Sequence, residues 1–153
     1  MTKATLITLN KINKDWPWKF KLAVTAIRIW RRSKYFHSEV VIGDKRITSH
    51  TETGVQIMDT TNWEYFEKYA DLKEVEIDEK LIPSTLEFVK SNIGKGYDWK
   101  GIFFSQFFDF GIHNKDKFFC SEIVAEALKK CGNTKIKEQS NRLAPDELYK
   151  IFN

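Results

Sequence analysis

The stretch Phe36-His37-Ser38-Glu39-Val40-Val41-Ile42-Gly43-Asp44-Lys45-Arg46-Ile47-Thr48-Ser49-His50 sets two segments rich in β-branched residues on either side of a Gly-Asp-Lys turn. Alternation and the turn chemistry predict a β-hairpin, with strands over 36–42 and 46–50. Alternate residues of a strand share a face, so His37 and Glu39 stand side by side. The residue opposite His37 depends on the loop. A Gly43-Asp44 loop puts His50 there, and an Asp44-Lys45 loop puts Glu52 there. The three-residue loops Gly43-Asp44-Lys45 and Ile42-Gly43-Asp44 put Thr51 and Ser49 there, respectively. Directly opposed residues lie about 5 Å apart, so a slip of one residue changes the partner.

Working outward, residues 54–58 and 73–77 alternate as further strands, with a helical turn or two over 62–69. Upstream, residues 4–12 predict a strand. Pro17 then fits the opening of a helix over 18–33. Phe20, Ala23, Val24 and Ile27, with Ile29 or Trp30, form the apolar side of that helix. Lys19, Lys21, Arg28, Arg31, Arg32 and Lys34 populate the rest. Helical patterns follow over 82–94, 97–108, from Cys120 onward, and over 144–152. This order predicts one α+β domain spanning 1–153, with a central antiparallel sheet of about five strands packed against helices.

A chain of 153 residues can bury a real core, and 12 Phe and 5 Trp supply the apolar surface for it. A net charge of +4 is compatible with an anionic surface or substrate. It gives no reason to expect nucleic acid, because both signs are interspersed. No apolar run approaches the roughly 18–20 residues of a membrane span, and the first residues lack the apolar region of a signal peptide. The expected location is therefore cytoplasmic. The high use of Lys, Ile and Asn hints at an AT-rich genome, such as that of a virus or phage.

Lys117-Phe118-Phe119-Cys120-Ser121-Glu122-Ile123-Val124 opens the helix that carries the chemistry. Cys120, Ile123, Val124, Ala127 and Leu128 fall on one face, and the cysteine sits in the first turn. Unpaired N–H groups and the positive end of the helix dipole favour its thiolate. A thiolate nucleophile needs a histidine base, which in turn needs an orienting group. His37, held on a strand, is the best-placed base. Cys131 precedes Gly132, a C-cap glycine by position, and reads as a packing residue. On one helix the two cysteines lie about 16 Å apart, too far for a disulfide. Two Cys with His37, His50 and His113 show no zinc spacing, so neither metal nor cofactor is expected.

The strand from His37 into Val-Val-Ile-Gly-Asp, a second strand carrying a polar residue 12 positions on, and Gly54-Val55 resemble the permuted papain-like cysteine hydrolases. Gly96-Tyr97-Asp98-Trp99 and Phe119-Cys120-Ser121-Glu122-Ile123-Val124 resemble the same group. This is the NlpC-like branch in which His precedes Cys. It includes YiiX/YaeF-like proteins, with poxvirus and phage relatives, and more distantly the lecithin:retinol acyltransferases. The resemblance covers roughly residues 5–130. It implies a papain-like fold, a Cys120 nucleophile and a His37 base acting through a thioester. By motif position it implies Ser49 as orienter, where relatives often carry His or Glu. Serine cannot supply negative charge to an imidazolium, so His50 and Glu52 stand as alternatives. Glu39, beside His37, and Tyr97 are expected to line the substrate site.

The expected function is a thiol hydrolase, either a peptidase or amidase or a lipid acyl hydrolase or acyltransferase, with a peptide or lipid acyl substrate. The alternative is a papain-like binding module, weak or inactive in catalysis, that grips a peptide or lipid. The basic helix 18–34 and its tryptophans offer peripheral contact with an anionic membrane in either case.

Overall fold

In the computed structural model, residues 1–50, 52–96 and 119–153 are described. Five strands form one antiparallel sheet: β1 (Thr2–Leu9), β2 (His37–Ile42), β3 (Lys45–His50), β4 (Gly54–Met58) and β5 (Ala70–Ile77). Their order across the sheet is β4-β3-β2-β1-β5. The helices are α1 (Trp18–Arg31), α2 (Trp63–Tyr69), α3 (Ile82–Ser91), α4 (Cys120–Lys130) and α5 (Pro145–Ile151). The α+β class and the five-stranded sheet agree with the sequence. The strand expected over 4–12 ends at Leu9, because the N–H groups of Asn10 and Lys11 both turn to the carbonyl of Tyr69. β5 begins three residues before the alternating run at Lys73, since β1 pairs with it from Thr2 through Leu9.

The hairpin uses the two-residue loop Gly43-Asp44, with Ile42 opposite Lys45 and Val40 opposite Ile47. Gly43 has φ of 63°, a conformation that glycine enters without the Cβ penalty and that a tight hairpin requires. Continuing this register puts His37 opposite His50 and Glu39 opposite Thr48.

Alternation divides the sheet into two apolar faces. Leu6, Val40, Ile42, Ile47, Val55 and Val75 meet Ile123, Val124, Ala127 and Leu128 of α4. Each of the Val, Leu and Ile side chains in this set stabilises the fold by about 1.5–3 kcal/mol through burial. Cys131 is buried at the end of α4, with its Sγ 3.2 Å from Thr85 Oγ1 of α3, in the packing role expected of it. On the other face, Ile7, Leu9 and Val41 pack with Val24 of α1, Phe66 of α2 and Phe36. His37 and Glu39 follow the phase of Val41 and sit at one end of this second face. α4 packs across β2 and β3, and its first residue, Cys120, interacts with His37 at the start of β2.

Candidate active site

Cys120 is the first residue of α4, after Phe119 in extended conformation. Phe119 is buried and its carbonyl accepts from the N–H groups of Glu122 and Ile123, which fixes the first turn. The neighbouring Ser121 hydroxyl donates to the carbonyl of Leu143 at 2.6 Å and holds the helix against the approach to α5. Cys120 itself is 2% exposed and hydrogen-bonded to the His37 imidazole.

His37 is met by polar groups of both strands. Its Nε2 lies 3.1 Å from Glu39 Oε1 and 3.2 Å from Thr48 Oγ1. Glu39 Oε2 accepts from Arg46 Nη1 at 2.8 Å, so each oxygen of this buried carboxylate has a cationic or acidic-hydrogen partner. His50 stacks on His37 with ring centroids 5.2 Å apart, and its Nε2 is 3.9 Å from Glu39 Oε1.

The charges follow from this geometry. Burial alone would push the His37 pKa down. The Cys120 thiolate, by charge and hydrogen bond, and then Glu39, outweigh burial and raise it to about 10. Burial opposes ionisation of Glu39, but the bond and charge of His37, followed by Arg46, hold its pKa below the usual carboxylate value. His50 is lowered to about 4, first by burial and then by the positive charge of His37. The two stacked imidazoles thus separate into a proton-bearing ring and a neutral one.

Donor atoms of His37, Glu39 and His50 all lie within 4.8 Å of one another, a spacing that could hold a divalent cation. The surrounding charge opposes it. Arg46 occupies one oxygen of Glu39 and His37 carries a proton, so the cluster suits proton handling better than cation binding.

A cavity of about 700 Å³ opens beside the cluster. His37, Glu39, Arg46 and His50 form its polar end. Trp16, Phe20, Val24, Ile27, Phe36 and Phe66 form its apolar walls. Ser49 and Glu52 also border it. Ser49 is buried in β3 opposite Val55, and Glu52 is exposed just beyond the strand. The carboxylate in contact with His37 is Glu39, from the same strand. The signal was present in the sequence as the two-residue spacing that puts both side chains on one face. Thr48 was missed because no two-residue periodicity links it to His37. Tyr97, Thr51, His113 and the helix expected over 97–108 lie outside the described residues.

No family model, curated protein or solved structure matches this chain. Among the described residues, no helix is long and apolar enough to cross a membrane.

Proposed function

We propose that this protein is a cysteine-dependent acyl hydrolase or acyltransferase built on a permuted papain-like arrangement. The observation that carries the reading is the position of His37, between the Cys120 sulfur and the buried carboxylate of Glu39. Cys120 is the nucleophile, His37 the base and Glu39 the orienter. Glu39 supplies the negative charge that Ser49, the residue implied by motif position, cannot.

In the first step the Cys120 thiolate attacks the substrate carbonyl carbon. The carbonyl electron pair moves onto oxygen, and the backbone N–H of Cys120, at the start of α4, is placed in the role of donor to that oxyanion by this reading. The tetrahedral adduct collapses to a thioester as His37 gives its proton to the departing alkoxide or amine. Neutral His37 then takes a proton from water, or from an acceptor alcohol or amine. The resulting nucleophile cleaves the thioester, and the thiolate–imidazolium pair is restored. Glu39 keeps its charge throughout and stabilises the imidazolium, with Arg46 holding it in place.

The apolar walls of the cavity favour an acyl chain over a polar peptide as the group bound beside His37. The alternative reading, a binding module that holds such a chain without cleaving it, draws support from the 2% exposure of Cys120. Incubation with p-nitrophenyl acyl esters, followed by intact mass measurement, separates the two. A transient acyl adduct on Cys120, absent in Cys120→Ala, supports the enzyme. Ester binding with no adduct and no turnover supports the module.

A further inference from the structure

Helix α1 carries two apolar faces, and its own domain uses only one. Phe20, Val24 and Ile27 point to the cavity, but Val24 is the only residue of the helix that is buried. Trp18, Leu22 and Ile29 are 67%, 62% and 72% exposed. At about 100° per residue these three fall within roughly 40° of one another, on the side away from the cavity. They form an outward apolar stripe rather than a scatter of single exposed residues.

The flanks of the stripe are cationic. Lys19, which also borders the cavity, lies on one side, Lys21, whose Nζ donates to the Lys14 carbonyl, and Arg28 on the other, and Arg32 follows the helix end; Trp18–Arg31 contains no acidic residue. Arg31 is separate from this set. Its guanidinium turns back to Asp146 at 3.3 Å and Glu147 at 3.2 Å, and so ties the helix end to α5. The Lys19 ammonium lies over the Trp18 ring, with Nζ 5.8 Å from the ring centroid.

We infer that α1 is a membrane-surface helix, docking the protein on an anionic lipid bilayer through Trp18, Leu22 and Ile29 with its basic flanks on the headgroups. An exposed apolar stripe bordered by cations fits a bilayer interface, where tryptophan sits at headgroup depth. A nucleic-acid backbone would satisfy the cations and leave the stripe in water. The docking is independent of thiol chemistry, and the cavity behind Phe20 and Ile27 lies across the helix from the lipid.

The test is co-flotation of the full chain with vesicles of phosphatidylcholine alone, or of phosphatidylcholine doped with phosphatidylserine. Binding is expected only with the doped vesicles, and it weakens as salt rises. Neutralising Lys19, Arg28 and Arg32 to Gln should weaken binding about fivefold per residue, or on the order of 100-fold together. Trp18→Ser, Leu22→Ser and Ile29→Ser combined should abolish it. These positions are exposed, and circular dichroism with thermal melting checks that the fold persists. Cys120→Ala should bind as the parent does, so a failed enzyme reading leaves this result untouched. The inference is overturned if the parent ignores doped vesicles, if the serine variant binds them as tightly as the parent, or if the stripe proves to mediate lipid-free self-association in light scattering.

Discussion

His37 Nε2 lies 3.1 Å from Glu39 Oε1, two residues along the same strand. A carboxylate and an imidazole on one strand face need no long-range assembly to meet. Their shared face is fixed as soon as β2 forms between β1 and β3, and Arg46 of β3 then holds the Glu39 carboxylate. What the tertiary fold adds is Cys120, delivered by α4 packing across β2 and β3.

Removing the charge of Glu39 while keeping its shape tests this pairing. In Glu39→Gln the amide can still bond to His37, but it no longer stabilises the imidazolium. Turnover of an acyl ester is expected to fall on the order of 10²-fold, with the reactive thiolate population falling in parallel. Glu39→Ala goes further and leaves the Arg46 guanidinium without its buried partner. Chemical denaturation should show a loss of about 3 kcal/mol. Unchanged ester turnover in Glu39→Gln would remove Glu39 from the mechanism.

The two histidines act on stability in opposite pH ranges. The pKa of His37 is raised to about 10, so native His37 keeps a proton that an unfolded histidine gives up near 6.5. Its stabilising contribution is complete below about pH 6.5 and is lost as pH rises through about 10. Replacing Cys120 by Ser removes the thiolate charge and should shift that alkaline loss to lower pH.

His50 runs the other way, with a pKa lowered to about 4. Between about pH 6.5 and 4 the unfolded chain takes up a proton that native His50 does not, so stability falls as the solution is acidified. His50→Asn should flatten thermal stability across that window. An unaltered slope in the variant would mean that His50 is not held neutral.

Gly54 governs a different part of the fold. It has φ of 69°, and a Cβ added there would come within 2.0 Å of the Lys95 carbonyl oxygen. The close approach has a purpose, because Val55 N–H donates to that oxygen and Gly94 N–H donates back to the Val55 carbonyl. Gly54→Ala combines left-handed strain with a backbone clash, and a loss of about 2 kcal/mol or more is expected in denaturant titration. A neutral result would show that the segment at 94–95 does not pack against β4 in solution.

The elements were largely legible because each has a strong local signal: β-branched alternation in β2 and β3, Pro17 and Pro83 at helix starts, and Gly132 after α4. The register was less so, since four loop readings were consistent with the residues. The choice of Gly43-Asp44 depends on the positive φ that Gly43 supplies at the first loop position. Cys120 and His37 could be paired in the sequence by chemistry and order. Glu39 could be placed on the face of His37 but not in contact with it, because strand period gives a face and not a rotamer. The outward stripe of α1 was hidden because the helix pattern assigns apolar residues to a core by default, whereas two opposite apolar faces emerge only once burial is known.

The most direct test of the central claim is the pH dependence of Cys120 alkylation by iodoacetamide, with Cys131→Ser in every sample to remove the second thiol. A Cys120 thiolate paired with the His37 imidazolium gives an inflection well below the ordinary thiol pKa of about 8.5, moving upward in His37→Ala and, to a smaller extent, in Glu39→Gln. An inflection at or above the ordinary value, indifferent to His37, would contradict that pairing.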